Sequence, residues 1–423
     1  MIPEHWETYI FKRLIKYRKA GSWGSEPKTS EIDCTCLRIA DFDYDKFRFQ
    51  RKTDNTIRSY KWKELEDRIL KQGDILIEKS GGGEKTPVGR AILYDLNINN
   101  AMYANFMEKI APKESLVSKF LVYILSLMYS RRAIWTYVKY TTGIQNLDLT
   151  SMLSNEKIPV PPLAEQENIV SYLESKTSKI DAYVADKEKE IQLLQELKQK
   201  TIAEAVTKGL NPNVKMKDSR TTFFGQIPTH WEERKMKYCF TERSEKNHPE
   251  EPILCATQSQ GVIPQSMYQN RVVVVNKGFE GLKFVKVGDF VISLRSFEGG
   301  IEYAYYQGII SAAYTILTPN DAANTEYYKY LFKCYQFVQV LQTCVTGIRE
   351  GQNINYQMLG RKYIPLPPID EQRSIVSYIE EKCQKIDTLI TELQAEIDYL
   401  KEYKQRLIAD VVTGQVDVQN EMI

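Results

Sequence analysis

The sequence predicts a mixed α/β protein with two globular domains and two long antiparallel helices that form a coiled coil. Three observations support this fold class. The chain has 423 residues, more than one hydrophobic core usually organises, so we expect two or more folded units. An internal repeat relates the two halves of the chain, and a heptad pattern of apolar residues follows the strongest repeated segment in each half.

The repeat gives the order of the domains. The segment "PPLAEQENIVSYLESKTSKID" (161–181) returns as "PPIDEQRSIVSYIEEKCQKID" (367–387), and "IPEHWE" (2–7) returns as "IPTHWE" (227–232). Variable blocks of the size of one domain therefore alternate with shared blocks. In chain order, the predicted bounds of the blocks are 1–157, 158–211, 212–363 and 364–423.

Each shared block is predicted to be one long helix. A proline pair followed by an acidic first turn, with Glu165 or Glu371, is typical of a helix start. Seam residues then recur at alternating steps of four and three, and because neither helix should be stable alone, we expect them to pair. The predicted seam residues are Leu173, Thr177, Ile180, Val184, Lys187, Ile191, Leu194, Lys198, Thr201 and Ala205 in the first copy, and Ile379, Cys383, Ile386, Ile390, Leu393, Ile397, Leu400, Lys404, Leu407 and Val411 in the second.

Two seam positions are lysines at matched places in the repeat. We interpret Lys198 and Lys404 as snorkelling side chains whose stems cover the seam while the ammonium groups reach water. The antiparallel arrangement is expected because it brings one variable block near each end of the helix pair. A coiled-coil scaffold or a dimerisation stalk remains the alternative for these helices.

The composition excludes several classes of protein. The longest apolar run, 119–129, is shorter than the roughly 20 residues of a membrane-spanning helix, and the first residues do not resemble a secretion signal, so we expect a cytoplasmic protein. Seven scattered cysteines and three histidines predict reduced, buried thiols rather than a zinc site. The net charge of +2 is too small to indicate nucleic acid binding, so a DNA-binding surface would have to be a local patch.

The sequence carries no signature of a catalytic site. The Asn/Asp-Pro-Pro-aromatic stretch of amino-methyltransferases is missing. The glycine-rich segment "SGGGEKTPVGR" (80–90) lacks the spacing of a phosphate-binding loop, in which backbone donors, lysine and hydroxyl converge on one triphosphate. We therefore expect a chain without catalysis of its own.

The order of the blocks and two repeated motifs resemble a known family. The helix openings "IPVPPLAEQENIVSYLE" and "IPLPPIDEQRSIVSYIE", and the block openings "IPEHWE" and "IPTHWE", are similar to those of the DNA specificity subunits of type I restriction-modification systems. The resemblance implies two target-recognition domains, 1–157 and 212–363, each reading one half of a bipartite double-stranded DNA target. It also implies that 158–211 and 364–423 are conserved spacer helices.

The resemblance further implies partners that carry the chemistry. Two modification subunits would dock on the helices and bring S-adenosylmethionine for DNA methylation, while restriction subunits, where present, would bring ATP and magnesium. No cofactor or metal is expected on this chain. The alternative is a non-catalytic coiled-coil adaptor or scaffold that does not bind DNA. The helix openings give the candidate partner-binding residues, which are Glu165, Gln166, Glu371 and Gln372.

Cations, hydroxyls and amides in three sets of segments are the candidate DNA contacts. A basic run with interleaved aromatic residues (48–63) suits phosphates, and a glycine-rich segment (79–90) with its counterpart (295–300) offers backbone donors and cations. Two loops before the shared helices contain Gln and Asn, which suit adenine, and Arg, which suits guanine. A solvated face is the alternative for the basic run, and a plain hairpin turn is the alternative for the glycine-rich segment. For the loops before the helices, a contact with the modification subunits and a structural turn both remain open. The candidates are Arg48, Arg51, Lys52, Lys79, Ser80, Lys85, Arg90, Thr142, Gln145, Asn146, Arg295, Ser296, Thr346, Arg349, Gln352 and Asn353.

Overall fold

The computed structural model describes residues 2–27, 31–50, 54–83, 86–141, 143–268, 278–320, 324–347 and 353–419. The chain divides into two units, the first made of Met1–Asp186 with Ala395–Ile423 and the second of Lys187–Gln394. Each unit therefore combines one variable block with parts of both long helices. The candidates outside the described residues are Arg51, Lys52, Lys85, Thr142, Arg349 and Gln352.

In its described residues, the first variable block is built from short strands, short 3-10 turns and three short α-helices. Its helices are α1 (Trp62–Leu65), α2 (Ser118–Ser130) and α3 (Leu149–Asn155), and the first long helix, α4 (Leu163–Lys208), follows them. Its strands are β1 (Glu7–Ile10), β2 (Ile15–Ala20), β3 (Ile32–Leu37), β4 (Phe42–Asp43), β5 (Arg48–Phe49), β6 (Ile57–Tyr60), β7 (Ile75–Glu78), β8 (Ser80–Gly81), β9 (Ala91–Leu93), β10 (Met102–Tyr103), β11 (Met107–Pro112), β12 (Val138–Thr141), β13 (Ile144–Leu147) and β14 (Lys157–Val160).

A twisted six-stranded sheet forms the centre of this block, with the strand order β2-β11-β7-β9-β5-β4. Strand β7 is buried over its whole length, because the sequence "ILIE" places apolar residues on both faces. Helix α2 packs against β9 through the apolar run noted in the sequence, whose residues Phe120 to Leu125 are all buried. That run is therefore a core helix.

The second variable block has a smaller sheet, with the strand order β18-β25-β22-β23. Its helices are α5 (Ser296–Gly299), α6 (Thr325–Leu331), α7 (Tyr335–Gln342) and α8 (Tyr356–Leu359), and the second long helix, α9 (Ile369–Val412), follows them. Its strands are β15 (Met216–Asp218), β16 (Gln226–Pro228), β17 (Glu232–Lys235), β18 (Phe240–Arg243), β19 (Leu254–Thr257), β20 (Gly261–Pro264), β21 (Lys283–Val285), β22 (Phe290–Ile292), β23 (Glu302–Tyr303), β24 (Gly308–Ile310), β25 (Thr315–Pro319), β26 (Val345–Thr346), β27 (Asn353–Ile354) and β28 (Tyr363–Leu366).

The core of the second unit includes residues from both long helices. Val206 near the end of α4 and Ile375 near the start of α9 are buried in the same cluster as Tyr327 and Phe332. The Tyr327 hydroxyl also donates a hydrogen bond to the Val206 carbonyl at 2.6 Å. The helices are therefore part of the folded unit. The predicted mixed α/β fold with two long helices is confirmed.

The predicted heptad seam is buried. In α9, Ile379, Ile397 and Val411 are almost fully buried, and the remaining seam residues are buried or half-buried. In α4 the seam is buried at Leu173 and half-buried at Ile191. The weaker seam of α4 follows from its polar members, as the sequence predicts. Within the described residues, no helix is long and apolar enough to cross a membrane.

In the first unit, the two helix segments run antiparallel. The Lys404 ammonium of α9 lies 2.6 Å from Asp181 of α4, and it also donates a hydrogen bond to the Asp45 carbonyl at 2.7 Å. Farther along α9, Gly414 lies against Trp6, which is bound to Glu165 at the start of α4. The snorkelling interpretation is wrong for Lys404, because its ammonium is bound inside the unit.

The second unit repeats this arrangement with the roles of the helices exchanged. Lys198 of α4 lies 2.7 Å from Asp387 of α9, and Gly209, just after α4, lies against Trp231 and Glu371. Both glycines that follow the long helices have a positive φ, +73° at Gly209 and +70° at Gly414. This backbone conformation suits glycine and commonly ends a helix.

Candidate nucleic-acid interface

The two candidate loops of the first block meet in one small sheet. Strand β13 pairs with both β12 and β8. The pairing places Ser80 opposite Asn146, and the Ser80 hydroxyl donates a hydrogen bond to Asn146 Oδ1 at 2.7 Å. The Lys79 carbonyl accepts a hydrogen bond from the Leu147 amide at 2.8 Å. Loops that are far apart in the sequence therefore form one surface.

Gln145 lies inside this surface and has an internal role. Its side chain is buried, with Nε2 donating to the Gly83 carbonyl at 3.1 Å and Oε1 accepting from the Val88 amide at 3.2 Å. These bonds brace the glycine-rich loop from both ends. A contact between Gln145 and an adenine stays untested, and we do not include this buried amide among the proposed contacts.

Arg90 is also an internal residue. Its guanidinium donates two hydrogen bonds to Glu78, at 2.7 and 2.9 Å, and lies 3.8 Å from the centre of the Tyr44 ring. Tyr44 donates a hydrogen bond to the same carboxylate. Burial and the Glu78 charge raise the pKa of the Tyr44 phenol, which keeps it a donor. Glu78, Arg90 and Tyr44 therefore hold the base of the loop.

Among the candidate cations of the first block that the structure describes, Arg48 and Lys79 are the accessible ones. Arg48 is exposed on β5, in a short strand near one edge of the central sheet. Lys79 is half-exposed, and its ammonium forms an ion pair with Glu108 at 3.4 Å, an interaction that contributes little where the lysine is in contact with water. Contact of these two side chains with DNA therefore stays a proposal.

An exposed tyrosine on the small sheet is absent from the sequence prediction. Tyr140 on β12 lies opposite Gln145, and 73% of its side chain is exposed. Its neighbour Lys139 is bound to Asp148 at 2.6 Å, and this lysine lowers the pKa of Asp148 to about 2. The alternating pattern of a strand could have indicated Tyr140, but the sequence does not show that the strand lies beside the glycine-rich loop.

The corresponding segments of the second block also come together. Helix α5 packs against β27 and α7. Arg295 precedes α5 and is exposed, whereas Ser296 is buried and its hydroxyl accepts a hydrogen bond from the Ser293 amide at 2.8 Å. Arg295 is therefore exposed to solvent, and Ser296 stabilises the turn.

A short hairpin carries the last two described candidates. Strand β26 pairs with β27, and the Thr346 hydroxyl donates to the Asn353 carbonyl at 3.3 Å. Thr346 is exposed and Asn353 is half-buried. Strand β27, which carries Asn353, packs against α5.

A buried ion pair behind α5 is a further feature that the sequence does not predict. The Lys333 ammonium lies 2.6 Å from Glu302 Oε1 and donates to the Gly299 carbonyl at 3.0 Å. Glu302 Oε2 has no hydrogen-bond partner among the described residues. Burial raises the pKa of Glu302 to about 7, although Lys333 opposes this rise.

The chain is similar to proteins of one functional class over nearly its whole length. A family model described as "Type I restriction modification DNA specificity domain" matches residues 3–193. The type I restriction enzyme MjaVIII specificity subunit of Methanocaldococcus jannaschii is 23% identical, over 99% of this chain and 95% of that protein. The resemblance to the type I restriction-modification DNA specificity subunits, which the repeated motifs predict, is confirmed.

Solved structures show the same fold. The HsdS subunit from Thermoanaerobacter tengcongensis has a TM-score of 0.54 at 16% identity, and the match covers 98% of each chain. A chain solved in work on complex assembly and conformational transition of the type I R-M system has a TM-score of 0.69 at 16% identity, covering 98% of this chain and 100% of that chain. Specificity subunits are non-catalytic components of their complexes, in agreement with the sequence analysis.

In this chain, the block opening and the helix opening are in contact within each unit. In the first, Glu165 accepts a hydrogen bond from Trp6 Nε1 at 3.0 Å and lies 2.9 Å from His5 Nε2. In the second, Glu371 lies 2.8 Å from His230 Nε2. The glutamates therefore bind the opening of each variable block to the start of the helix that follows it.

The glutamines next to these glutamates are buried. Gln166 and Gln372 are at most 1% exposed, and their amides bond to backbone groups of their own unit. The predicted contact of all four residues with a partner stays untested. The buried glutamines have an internal role in this structure, and we do not place them on the proposed partner surface.

Proposed function

We propose that this specificity subunit reads a bipartite double-stranded DNA target, with one recognition domain for each half and the helix pair setting the spacing. The observation that carries this proposal is the duplication of a whole working unit, comprising a recognition domain, a joint to its helix and an interhelical ion pair. Two equivalent readers on one chain suit two half-sites. The proposed DNA contacts are Arg48, Lys79, Ser80, Tyr140, Asn146, Arg295, Thr346 and Asn353.

The chemistry of these residues suits both tasks of a DNA reader. Arg48, Lys79 and Arg295 are accessible cations that can neutralise phosphates and release counterions. Asn146 and Asn353 carry amides that can contact base edges, and a bidentate contact discriminates between bases by about 1–3 kcal/mol. The net charge of +2 restricts strong attraction to such local patches.

The helices present equivalent exposed apolar side chains in both units, which suits two copies of one partner. A residue of one unit and its equivalent in the other are as far apart in the sequence as Asp181 and Asp387, the acids of the two ion pairs. The first unit exposes Tyr183, Tyr399 and Tyr403, and the second exposes Leu389, Leu193 and Leu197 in the same order. We propose that two modification subunits dock on these surfaces.

The cofactors of the complex belong to its partners in this proposal. The modification subunits supply S-adenosylmethionine, and restriction subunits, where present, supply ATP and magnesium. The complex works in the cytoplasm, where the DNA is. The alternative, an adaptor that does not bind DNA, predicts that the assembled complex binds no duplex in a salt-sensitive way.

Mapping methylated bases in a host genome tests this function. The host expresses the modification subunits with or without this chain, and the methylated positions are compared. We expect one bipartite motif with a fixed gap, which is methylated only when the chain is present. Methylation that is independent of the chain, or a single undivided motif, would contradict the proposal.

A further inference from the structure

The glutamine of each helix opening makes the same kind of connection in both units. Gln166 is the fourth residue of α4 and Gln372 the fourth residue of α9, and both are almost completely buried. A buried amide that lacks its hydrogen bonds is costly, and water cannot replace a missing partner there. Each glutamine therefore prefers the single geometry in which both its amide oxygen and its amide nitrogen have hydrogen-bond partners.

In the first unit, Gln166 links the helix to a loop of the recognition domain. Its Oε1 accepts a hydrogen bond from the Val117 amide at 2.8 Å, just before α2. Its Nε2 donates to the Ser115 carbonyl at 3.1 Å and to the Pro161 carbonyl at 2.9 Å. One side chain thus connects α4, the proline pair and the loop that leads into α2.

In the second unit, Gln372 makes the equivalent connection. Its Oε1 accepts a hydrogen bond from the Asn324 amide at 3.0 Å, just before α6, and its Nε2 donates to the Pro367 carbonyl at 2.8 Å. The domain loops differ in sequence, "KESLVSK" before and into α2 against "NTEYYK" at the start of α6. Two of the three hydrogen bonds of Gln166 therefore recur at Gln372 with an unrelated loop, because the amide bonds to backbone groups.

We propose that Gln166 and Gln372 are positioning residues that fix the orientation of each recognition domain on its helix, so that tolerance for the gap between half-sites depends on them. This inference rests on the proposed function. A domain of about 150 residues has a radius of gyration of about 15 Å. A rotation of about 13° at the joint then moves a DNA-contacting loop by about 3.4 Å, which is one base pair.

The neighbouring glutamates do not replace this connection. Glu165 and Glu371 bind the histidines of the opening motifs, and those contacts are half-exposed on the histidine side. The glutamines are the buried part of the joint, and they bond to the loop that carries the next domain helix. Loss of a glutamine side chain leaves one side of the joint without hydrogen bonds, while the contacts of the domain with its DNA half-site stay intact.

Methylation mapping with glutamine variants tests the proposal. The complex with its modification subunits carries Gln166→Met, Gln372→Met or the control Gln405→Met, which changes an exposed glutamine of α9. We expect both buried-site variants to keep the half-site sequences and to methylate sites whose gap is one base pair longer or shorter. Their preference for the original gap should fall about tenfold, the effect of one lost hydrogen bond. The control should behave as the unmodified chain does.

Several outcomes separate the inference from the proposed function. The inference is overturned when the variants keep a single gap, with methylation either unchanged or uniformly reduced. It is also overturned when a folded variant complex loses methylation at every site. The proposed function fails instead when the unmodified chain gives no bipartite motif. Where a methionine variant lowers the yield of folded complex, Gln166→Asn and Gln372→Asn give the same readout, because their amides are one methylene too short to reach both ends.

Discussion

The burial of a charged side chain decides whether it stabilises the fold or is free to contact a ligand. Arg90 and Arg48 illustrate this in one recognition domain. Arg90 is bound to Glu78, whose side chain is 2% exposed, whereas Arg48 is exposed on β5. Both were predicted as DNA contacts from sequence, because an arginine in a basic or glycine-rich segment looks the same in either setting.

Replacing each arginine by methionine should separate the two roles. Arg90→Met leaves the Glu78 charge buried, so the free energy of unfolding of the first unit should fall by about 3 kcal/mol. Arg48→Met should change it by less than about 0.5 kcal/mol. Urea titrations that follow the first unit measure both values.

The same two variants should affect DNA binding differently. In the assembled complex, Arg48→Met should weaken binding of all sequences and lower the slope of log K against log salt by about 1, the share of one phosphate contact. Arg90→Met should leave the slope unchanged under conditions in which the chain is folded. An unchanged slope for Arg48→Met would remove Arg48 from the interface.

Glu302 should make the second unit less stable as the pH rises. Its pKa is raised by burial from 4.5 to about 7, so its contribution is fully present below pH 4.5 and is lost as the pH approaches 7. The loss should amount to about 3 kcal/mol of unfolding free energy. Urea titrations at both pH values should show that Glu302→Gln removes this part of the pH dependence. Identical pH profiles for the two chains would contradict the assignment.

At the scale of elements, the long helices were predicted well from sequence and the small sheets were not. The proline pairs and the heptad seam are local patterns, and α4 and α9 follow them closely. The pairing of β8 with β13 depends on packing between distant segments, so no local pattern indicates it. For this reason the sequence could not show that two of its candidate DNA contacts, Gln145 and Ser296, are buried.

Equivalent ion pairs between the helices differ in burial and should differ in strength. The Lys404 side chain is 10% exposed and that of Lys198 is 27% exposed. Lys404→Asp should lower the free energy of unfolding by about 2 kcal/mol, because it places two acids together in a partly buried site. Lys198→Asp should cost about 0.5 kcal/mol, as expected of an exposed pair.

Charge exchange provides the control for the interhelical pairs. The double variant Lys404→Asp with Asp181→Lys restores opposite charges and should recover most of the lost stability. Thermal unfolding measures all three chains, since 1 kcal/mol shifts the melting temperature of a unit of this size by about 2–4 °C. An equal loss at both lysines would show that burial does not set the strength of these pairs.

At the scale of the whole molecule, the duplication explains why the same features occur once in each unit. Each unit has its own recognition domain, its own glutamate and glutamine joint, and its own interhelical ion pair. The sequence predicted this plan because the shared blocks retain their motifs, while the recognition domains diverge and show only a weak echo of each other. The central claim is that the paired helices determine the gap between the two half-sites.

Deletion of one matched heptad from each helix tests that claim most directly. Removing 187–193 from α4 and 392–398 from α9 preserves the phase of the seam and both ion pairs, Asp181 with Lys404 and Lys198 with Asp387. Each helix becomes about 10 Å shorter, which corresponds to about three base pairs at 3.4 Å each. Methylation mapping should then show unchanged half-sites separated by a gap that is shorter by about three base pairs. Altered half-sites with the original gap would contradict the account.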